Sequence, residues 1–486
     1  MDAASPHAHE GPDRRLLFPA IAFLGGVFAW LVSVPLFGPT WLGLAAAARL
    51  QPAVPIYLFL GGHALGLAGS GLISDIWAKF RQAGLSWAAP ACFVLTVLTA
   101  FAPEIAVVTF PLLGLLAAWG IVAWAPAFRA VVPLRRRALA FAGVPVAANA
   151  FKYLWSLGLG HVPAAWLLIL ATLPLLGSAL YGPRLARLAL AGGAPPAATQ
   201  AVSFPDLRPL WLLAPFLFVV YLAAGVTYSA VTPSLLRVLH TPVDPSLLAY
   251  VACIPLLALV GDRTTMRNVA VAGPLLLGGA FLAWAASPTF DGAIVVQILM
   301  GAGYAAMDLL TWVALLEIAP PHGTATVFGI GLNMNVLPIL IGAGLQAQIP
   351  LLAHLPSTTL AGGMLFLMLV AVAFFRDTAL LVRNAEAGAS GTPGDSPDIS
   401  MPKPSAPSFE HLCASLDRIA VTPLSPRELD VACLVIQGRS VAEMAKDLMV
   451  SENTVKSHLA NVYRKTGTRG RAGLSASVLT GGDKGP

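Results

Sequence analysis

The stretch of the chain best suited to specific chemistry is a short polar and basic segment near its end, SENTVKSHLANVYRKTGT at 451–468. Val455, Leu459 and Val462 recur at helical spacing, so they should face a small core. The opposite face of that helix then carries hydrogen-bonding and basic residues together with one small residue: Asn453, Lys456, Ser457, Ala460 and Arg464. Such a face suits the major groove of DNA, where the base edges present donors and acceptors.

Positive charge surrounds this helix. From Arg439 through Arg471 there are seven Lys or Arg residues against three acidic ones, so attraction to phosphate groups should follow. Many small helical domains also carry one solvated basic face, and charge by itself therefore leaves both interpretations open.

Two shorter helices should precede this segment, because each is marked by capping residues. In LSPRELDVACLVIQG, Ser425 is the expected N-cap with Glu428 three residues later, and Gly438 ends the helix. SVAEMAKDLMV repeats the device with Ser440 and Glu443. The spacing therefore predicts three consecutive helices around one small core.

The rest of the chain has the composition of a different class of protein. Its 486 residues are 57% hydrophobic and 11% charged, and the mean hydropathy is +0.77, which is typical of polytopic membrane proteins. The four cysteines are too widely spaced to predict a disulfide framework or a metal site, and no cofactor is expected. Apolar windows of about 20 residues predict twelve membrane spans, at about 16–37, 54–75, 87–102, 105–127, 138–159, 162–182, 209–230, 246–261, 268–287, 291–317, 326–346 and 358–375.

Basic residues alternate between the loops and so predict the orientation. The loops on one side hold only Arg49 and Arg237, whereas those on the other side hold Arg14, Arg15, Lys79, Arg81, Arg129, Arg135, Arg136, Arg137, Arg184, Arg187, Arg208, Arg263 and Arg267. Because basic residues collect in cytoplasmic loops, both termini should be cytoplasmic.

The longest interior loop, between the sixth and seventh predicted spans, is RLARLALAGGAPPAATQAVSFPDLRP. It is rich in Ala, Gly and Pro and divides the predicted spans into six and six. A similar loop follows the second span of each half, GLISDIWAKFR and LVGDRTTMR. Here the chain resembles the major facilitator superfamily, whose halves each carry a G-x-x-x-D-R-x-G-R-R type loop, although Ile76 and Ala78 depart from that pattern. The matching residues are Gly71, Asp75, Lys79 and Arg81 in the first loop and Asp262, Arg263 and Arg267 in the second.

Few polar residues fall inside the predicted spans, and each is a candidate functional site because ionisable groups in hydrocarbon are costly. They could line a midplane pocket for a small polar or aromatic ligand. Alternatively, Lys152 and Asp308 form a structural ion pair while the asparagines hydrogen-bond between helices. The candidate ligand-binding residues are Lys152, Tyr304, Asp308, Trp312, Asn333 and Asn335.

The final segment resembles the LuxR-type (GerE-type) helix-turn-helix domain. The family pattern is met at Leu424, Ser425, Glu428, Val431, Gly438, Ala445, Leu448, Ser451, Thr454, Val455, Lys456, His458, Tyr463, Lys465, Gly467, Arg469, Arg471, Ala472 and Leu474. Thr466 and Thr468 replace larger apolar residues, and Ala460 offers no hydrogen bond to a base.

The resemblance implies a four-helix module with 452–466 as the recognition helix and 471–480 as a dimer-forming helix. Lys456 and Ser457 would stand at base edges. The DNA-binding set is Asn453, Thr454, Lys456, Ser457, His458, Arg464, Lys465 and Arg469.

The expected fold class is all-α, a polytopic bundle of twelve transmembrane helices followed by a four-helix DNA-binding domain. The segments are a cytoplasmic tail at 1–14, the membrane domain at 15–377, a flexible linker at 378–415, rich in Gly, Ser, Pro and Ala, and the helix-turn-helix at 416–480.

Two main functions remain open, and a constitutive DNA tether at the membrane is a third. The first is a multi-pass, membrane-bound one-component transcription regulator in the bacterial cytoplasmic membrane, with double-stranded DNA, the lipid bilayer, an unknown small molecule and a second copy of the chain as partners; RNA polymerase is a further candidate partner. The second is a major-facilitator-type secondary transporter with a regulatory tail. An enzyme is not expected, because no suitable nucleophile, metal cluster or carboxylate pair occurs.

Overall fold

The computed structural model describes residues 14–34, 40–51, 54–157, 161–191, 202, 205–239, 245–260, 263–286, 289–348, 355–389, 422–436 and 450–468, and a few single positions between 441 and 474. The chain separates into two compact units, Met1–Gly391 and Thr392–Pro486. Within the described residues every regular element is helical, which confirms the all-α fold class.

The membrane unit is built from consecutive helices joined by short turns. Its first half contains α1 (Arg14–Ser33), α2 (Thr40–Ala47), α3 (Val54–Ile76), α4 (Ala78–Phe101), α5 (Ala106–Val131), α6 (Arg137–Ser156), α7 (Ala164–Ala171) and α8 (Leu173–Ala191). Its second half contains α9 (Arg208–Val226), a π-helical turn (Thr227–Val231), α10 (Thr232–Leu239), α11 (Ser246–Val260), α12 (Arg263–Ala286), α13 (Phe290–Ile318), α14 (Thr324–Gln348) and α15 (Ser357–Ala389).

The apolar stretches read from the sequence all overlap described helices, and the sixth corresponds to α7 and α8 together. By length and composition, eight helical stretches of the described chain could cross a membrane, and three shorter apolar ones accompany them at Leu17–Ser33, Ser246–Leu259 and Ser357–Ala373. The chain is therefore a multi-pass membrane protein, and the number twelve stays a prediction.

Glycines let α14 approach a helix of each half. A Cβ on Gly329 would lie 2.3 Å from the carbonyl oxygen of Leu67 in α3, and one on Gly342 would lie 2.2 Å from that of Leu222 in α9. Helix association in a bilayer depends on close van der Waals packing, which small residues permit. The two halves are thus joined along α3 and α14.

The last membrane helix ends later than the composition predicts. The linker is predicted to begin at residue 378, whereas α15 continues to Ala389. The remainder of that predicted linker, 390–415, lies outside the described residues, as does the predicted tail at 1–13.

The second unit has its own core, formed by two described helices and single residues near them. Helix α16 spans Pro426–Ile436 and helix α17 spans Glu452–Thr466. The buried residues are Leu424, Val431, Ala432, Cys433, Val435, Met444, Ala445, Val455, Leu459, Val462 and Leu474. The middle helix expected at 440–450 is described only at single positions, of which 441, 444 and 445 are helical.

Candidate functional site

The recognition helix α17 is capped at both ends by its own sequence. The hydroxyl of Ser451 accepts a hydrogen bond of 3.1 Å from the backbone N–H of Thr454, and Glu452 adds an acid to the first turn. At the other end Gly467 adopts φ 67°, and its N–H is donated to the carbonyls of Arg464 and Tyr463. These caps satisfy backbone groups that the helix leaves unpaired, so the helix begins and ends at defined residues.

One face of α17 is buried as the periodicity predicts. Val455 and Val462 are fully buried and Leu459 nearly so. Thr466 is also buried, and its hydroxyl donates to the carbonyl oxygen of Val462 at 2.8 Å and lies 2.9 Å from the Thr468 hydroxyl. The threonines that depart from the family pattern thus bond to the backbone and to each other.

The opposite face of α17 presents most of the predicted DNA-binding residues to solvent. His458 is half-buried, and Arg464 is exposed while donating to the side chain of Asn461 at 2.9 Å. Arg469 lies outside the described residues. The exposed residues are Asn453, Thr454, Lys456, Ser457, Ala460 and Arg464, and this set is called the recognition face below.

Lys465, which the family resemblance places among the DNA-binding residues, has partners within its own domain. Its ammonium nitrogen lies 2.7 Å from the carboxylate of Glu428, which is 5% exposed, and 3.1 Å from the carbonyl oxygen of Pro423. Lys465 therefore fastens the end of α17 to the start of α16.

Glu428 also completes the predicted capping box of α16. Its carboxylate accepts from the Ser425 N–H at 2.7 Å, and the Ser425 hydroxyl accepts from the Glu428 N–H at 3.4 Å. The hydrogen bond from Lys465, followed by that from Ser425, lowers the pKa of the Glu428 carboxyl to about 2. One side chain thus serves the start of one helix and the end of another.

The predicted dimer-forming helix at 471–480 is described at one residue. Leu474 is helical and fully buried against the domain core. Dimer formation through this helix stays a prediction.

In the membrane unit, Asp308 of α13 lies among three helices. Its two carboxylate oxygens accept hydrogen bonds from Tyr221 of α9 at 3.0 Å and from Tyr250 of α11 at 2.9 Å. The Tyr221 hydroxyl also lies 3.1 Å from that of Thr311, which donates to the carbonyl oxygen of Met307. A half-buried carboxylate is thus bound by two phenols.

Two further tyrosines belong to this neighbourhood. Tyr228, in the π-helical turn, stacks on Tyr304 of α13 with ring centroids 6.1 Å apart. Tyr228 also lies close enough to Tyr221 and Tyr250 to interact with them electrostatically. We call Asp308 with these four tyrosines the tyrosine–aspartate cluster.

Trp312 faces another part of the bundle, although it shares the predicted helical face with Tyr304 and Asp308. Its ring packs against Phe28, Trp124 and Phe141 of the first half and against Phe328 of α14, with centroid distances between 5.0 and 6.1 Å. The indole is therefore surrounded by aromatic rings and joins the two halves.

The ion pair expected between Lys152 and Asp308 does not form, because the described residues provide Asp308 with tyrosine partners and no basic one. Lys152 is half-buried on α6. Asn333 donates to the Ala64 carbonyl oxygen of α3 at 3.0 Å, as predicted for hydrogen bonding between helices, while Asn335 is half-buried. Of the six candidate ligand residues, Tyr304 and Asp308 lie in the tyrosine–aspartate cluster, whereas Trp312 and Asn333 have other partners.

The sequence did not single out Tyr221 and Tyr250. The chain contains eight tyrosines, and half of them gather around one aspartate. Counting tyrosines in apolar spans together with the ionisable residues would have indicated them, because a phenol in hydrocarbon also needs a hydrogen-bond partner.

The arginine-rich end of the bundle holds a second polar arrangement. Asp75 of α3 accepts from the backbone N–H groups of Ala325 at 3.1 Å and Thr326 at 2.7 Å, in the first turn of α14. Arg129 of α5 donates to the Ala319 carbonyl oxygen and, at 3.1 Å, to the Thr324 hydroxyl. Side chains of the first half therefore hold the turn between α13 and α14, and this set is called the inter-half contact. No group of three metal-binding side chains occurs in the described part of the chain.

The membrane unit has the major facilitator fold. The human organic anion transporter MFSD10 (TETRAN) superposes with a TM-score of 0.57 at 16% identity, covering 75% of this chain and 100% of that one. A bacterial homologue of the iron transporter ferroportin in an outward-facing state gives 0.58 at 12% identity, covering 75% and 98%. The MFS proton:xylose symporter XylE bound to 6-bromo-6-deoxy-D-glucose gives 0.61 at 13% identity, covering 75% and 96%. At these identities the likeness establishes the fold alone.

The second unit matches a family of regulators. Residues 422–477 match the model of the bacterial regulatory proteins of the luxR family. Spore germination protein GerE of Bacillus subtilis is 35% identical over 60 residues, which are 12% of this chain and 81% of GerE. Response regulator RamR of Streptomyces coelicolor is 38% identical over 73 residues, which are 15% of this chain and 36% of RamR. The chain belongs to the luxR family of DNA-binding regulators through this domain.

Proposed function

We propose that the protein is a membrane-bound one-component transcription regulator, which senses a small molecule through its transmembrane domain and binds promoter DNA through its C-terminal helix-turn-helix. One observation carries the proposal: a luxR-family domain with a solvent-exposed recognition face shares one polypeptide with a membrane domain of transporter fold. A ligand bound in the membrane domain could then act directly on transcription.

The recognition face supplies the DNA contacts in this proposal. Lys456 and Ser457 lie in the first half of α17 and contact base edges, while Thr454 and Arg464 lie near the phosphate backbone and Asn453 belongs to the face that enters the groove. His458 and Arg469 are proposed as further backbone contacts. A homodimer formed through 471–480 would place two such helices on one promoter, where RNA polymerase is a candidate partner.

Sensing requires two packings of the bundle with different affinities for the ligand, because equal affinity shifts no equilibrium. The inter-half contact is a candidate for the element that differs between them, since Asp75 and Arg129 reach from one half to the other. We propose that both termini lie in the cytoplasm of a bacterial cell, at the inner membrane. A reporter that is active only in the cytoplasm should therefore be active when it is fused to the C-terminus.

The decisive experiment measures DNA binding by the full-length protein in lipid nanodiscs against a library of genomic fragments. Wild-type protein should enrich a defined set of promoters. Lys456→Ala should weaken binding to them by about 1–3 kcal/mol. Arg427→Ala is the matched control, because it removes the same charge from an exposed residue of α16 and should leave the enrichment unchanged. Absence of any enriched duplex at low salt would refute the proposal.

A secondary transporter with a regulatory tail is the alternative, which the fold of the membrane unit favours. Coupled accumulation of a substrate in vesicles by residues 1–391 alone would establish this alternative. If that bundle accumulates no substrate while the full chain still responds to the compound at its promoters, the regulator stands.

A further inference from the structure

When it is ionised, Asp308 carries a charge that the described protein does not neutralise. Its partners are the hydroxyls of Tyr221 and Tyr250, and no lysine or arginine of the described chain pairs with it. A carboxylate inside a membrane bundle is costly unless it is paired with a positive charge or reached by water. Two donated hydrogen bonds stabilise the ionised form but leave its net charge in place.

The carboxylate also keeps capacity for another partner. A carboxylate has about four acceptor positions, and the two phenols occupy one on each oxygen. Asp308 lies between α9, α11 and α13 and yet is half-buried rather than fully buried, as are Tyr228, Tyr250 and Tyr304. Part of the surface of these side chains is therefore accessible although Asp308 lies among three helices, so another molecule can approach the carboxylate.

Aromatic rings lie on the elements around Asp308. Tyr228 and Tyr304 stack with an interplanar angle of 20°. Tyr304 lies on α13 with Asp308, and Tyr228 lies in the π-helical turn that follows α9. One turn further along α13, towards the arginine-rich end, Trp312 is closed in by rings from both halves. The surroundings of Asp308 therefore combine one carboxylate with the rings of four tyrosines.

We propose that the tyrosine–aspartate cluster binds an organic ammonium ion, for which Asp308 is the counter-charge and the tyrosine rings supply cation–π contacts. A substituted ammonium is weakly hydrated and gains from aromatic faces as well as from the carboxylate. A hard divalent metal ion fits less well, because it requires several oxygen ligands of which carboxylates are the strongest, and the cluster contains one carboxylate. The inference rests on the proposed sensing function in that the bound cation is taken to be the signal.

The test compares a cation with its uncharged isostere on the full-length protein in nanodiscs. The probes are choline, benzyltrimethylammonium and 3,3-dimethylbutan-1-ol, in which carbon replaces the nitrogen of choline. Binding is followed by intrinsic tryptophan fluorescence and by thermal unfolding. At least one cation should bind saturably, and choline at least about tenfold more tightly than the alcohol.

Matched variants assign the preference to the cluster. Asp308→Asn should abolish the difference between choline and the alcohol, whereas Asp291→Asn, the same change at an exposed position of α13, should retain it. Tyr228→Phe keeps the ring face and should retain most of the affinity. Tyr228→Leu removes the ring and should weaken binding of the cation by about tenfold.

Three outcomes decide between the occupants. If no cation binds at millimolar concentration, or if choline and the alcohol bind equally well, the inference is overturned. If the fluorescence responds to pH alone and Asp308→Asn removes that response, a proton is the occupant and the inference is again overturned. If a cation binds through Asp308 but promoter binding is indifferent to it, the site stands and the proposed sensing function fails.

Discussion

Two carboxylates, a buried one in the DNA-binding domain and a half-buried one in the membrane unit, receive two different kinds of partner. Glu428 of the DNA-binding domain is bound by the ammonium group of Lys465 and by the Ser425 N–H. Asp308 of the membrane unit is bound by the hydroxyls of Tyr221 and Tyr250. Both acids have two donors, but only Glu428 has a positive charge beside it among the described residues.

The difference distinguishes Glu428, an acid with a structural role, from Asp308, an acid that can bind an external partner. The charge of Glu428 is neutralised by a lysine of its own domain, and the acid joins the start of α16 to the end of α17. An acid bound only by phenols keeps its net charge in a medium that disfavours charge. Four changes test this distinction.

Removal of the lysine from the complete pair should have the largest effect. Lys465→Met leaves Glu428, 5% exposed, without its counter-charge and should lower the free energy of unfolding of the domain by about 2–3 kcal/mol. Chemical denaturation of residues 416–480 measures it; GerE, 81% of which matches this region, consists of little more than such a domain. Arg427→Met, which breaks an exposed pair with Asp430, is the control and should change stability by less than about 0.5 kcal/mol.

Acid should weaken the same pair in a defined range of pH. The pKa of Glu428 falls from an ordinary 4.5 to about 2 in the folded domain, so its contribution is complete above pH 4.5 and is lost as the pH falls towards 2. Because Lys465 is partly exposed, we expect a loss of about 1–2 kcal/mol over that range. Denaturation curves at successive pH values should show the loss in wild type and not in Glu428→Gln. An equal slope in both proteins would assign the pH dependence to other groups.

The phenols of the membrane site should each contribute less than the lysine does. Tyr221→Phe and Tyr250→Phe remove one hydrogen bond to Asp308 and should each lower the stability of the full-length protein in micelles by about 1 kcal/mol. Tyr153→Phe, at an exposed tyrosine of α6, is the control and should have no effect. A loss as large as that of Lys465→Met would remove the contrast between the two acids.

Neutralising the membrane acid should have the smallest effect on stability. Asp308→Asn keeps an acceptor for one phenol and removes an unpaired charge from the bundle, so the stability in micelles should change by less than about 1 kcal/mol or should rise. Thermal unfolding of wild type and variant gives the comparison. A large loss would mean that an unseen positive charge holds Asp308 in place for structural reasons.

The DNA-binding domain could be predicted closely from local patterns. The capping residues and the spacing of Val455, Leu459 and Val462 fix the bounds and the buried face of α17, since both signals depend on residues within one or two turns. The contact of Lys465 with Glu428 was not predicted, because its partner lies 37 residues away. Local spacing does not report which distant acid a lysine will reach.

The membrane unit shows the same limit more strongly. Hydropathy located the helices, because a helix must be apolar to lie in lipid. It did not reveal that Tyr304 and Asp308 turn towards α9 and α11 while Trp312 meets the first half, since that depends on how neighbouring helices are arranged around α13. Opposite charge alone suggested that Lys152 pairs with Asp308, whereas in the structure the hydroxyls of Tyr221 and Tyr250 bind Asp308.

The N-terminus of α14 has a consequence for how the bundle can separate. Two of its first N–H groups are bonded to Asp75, a side chain supplied by the opposite half of the bundle rather than by the helix itself. When the halves move apart at this end, the hydrogen bonds from the N–H groups of Ala325 and Thr326 to Asp75 break together. Water must then solvate the carboxylate and both N–H groups. Opening at this end is therefore tied to wetting, and a dehydrating cosolute should slow it.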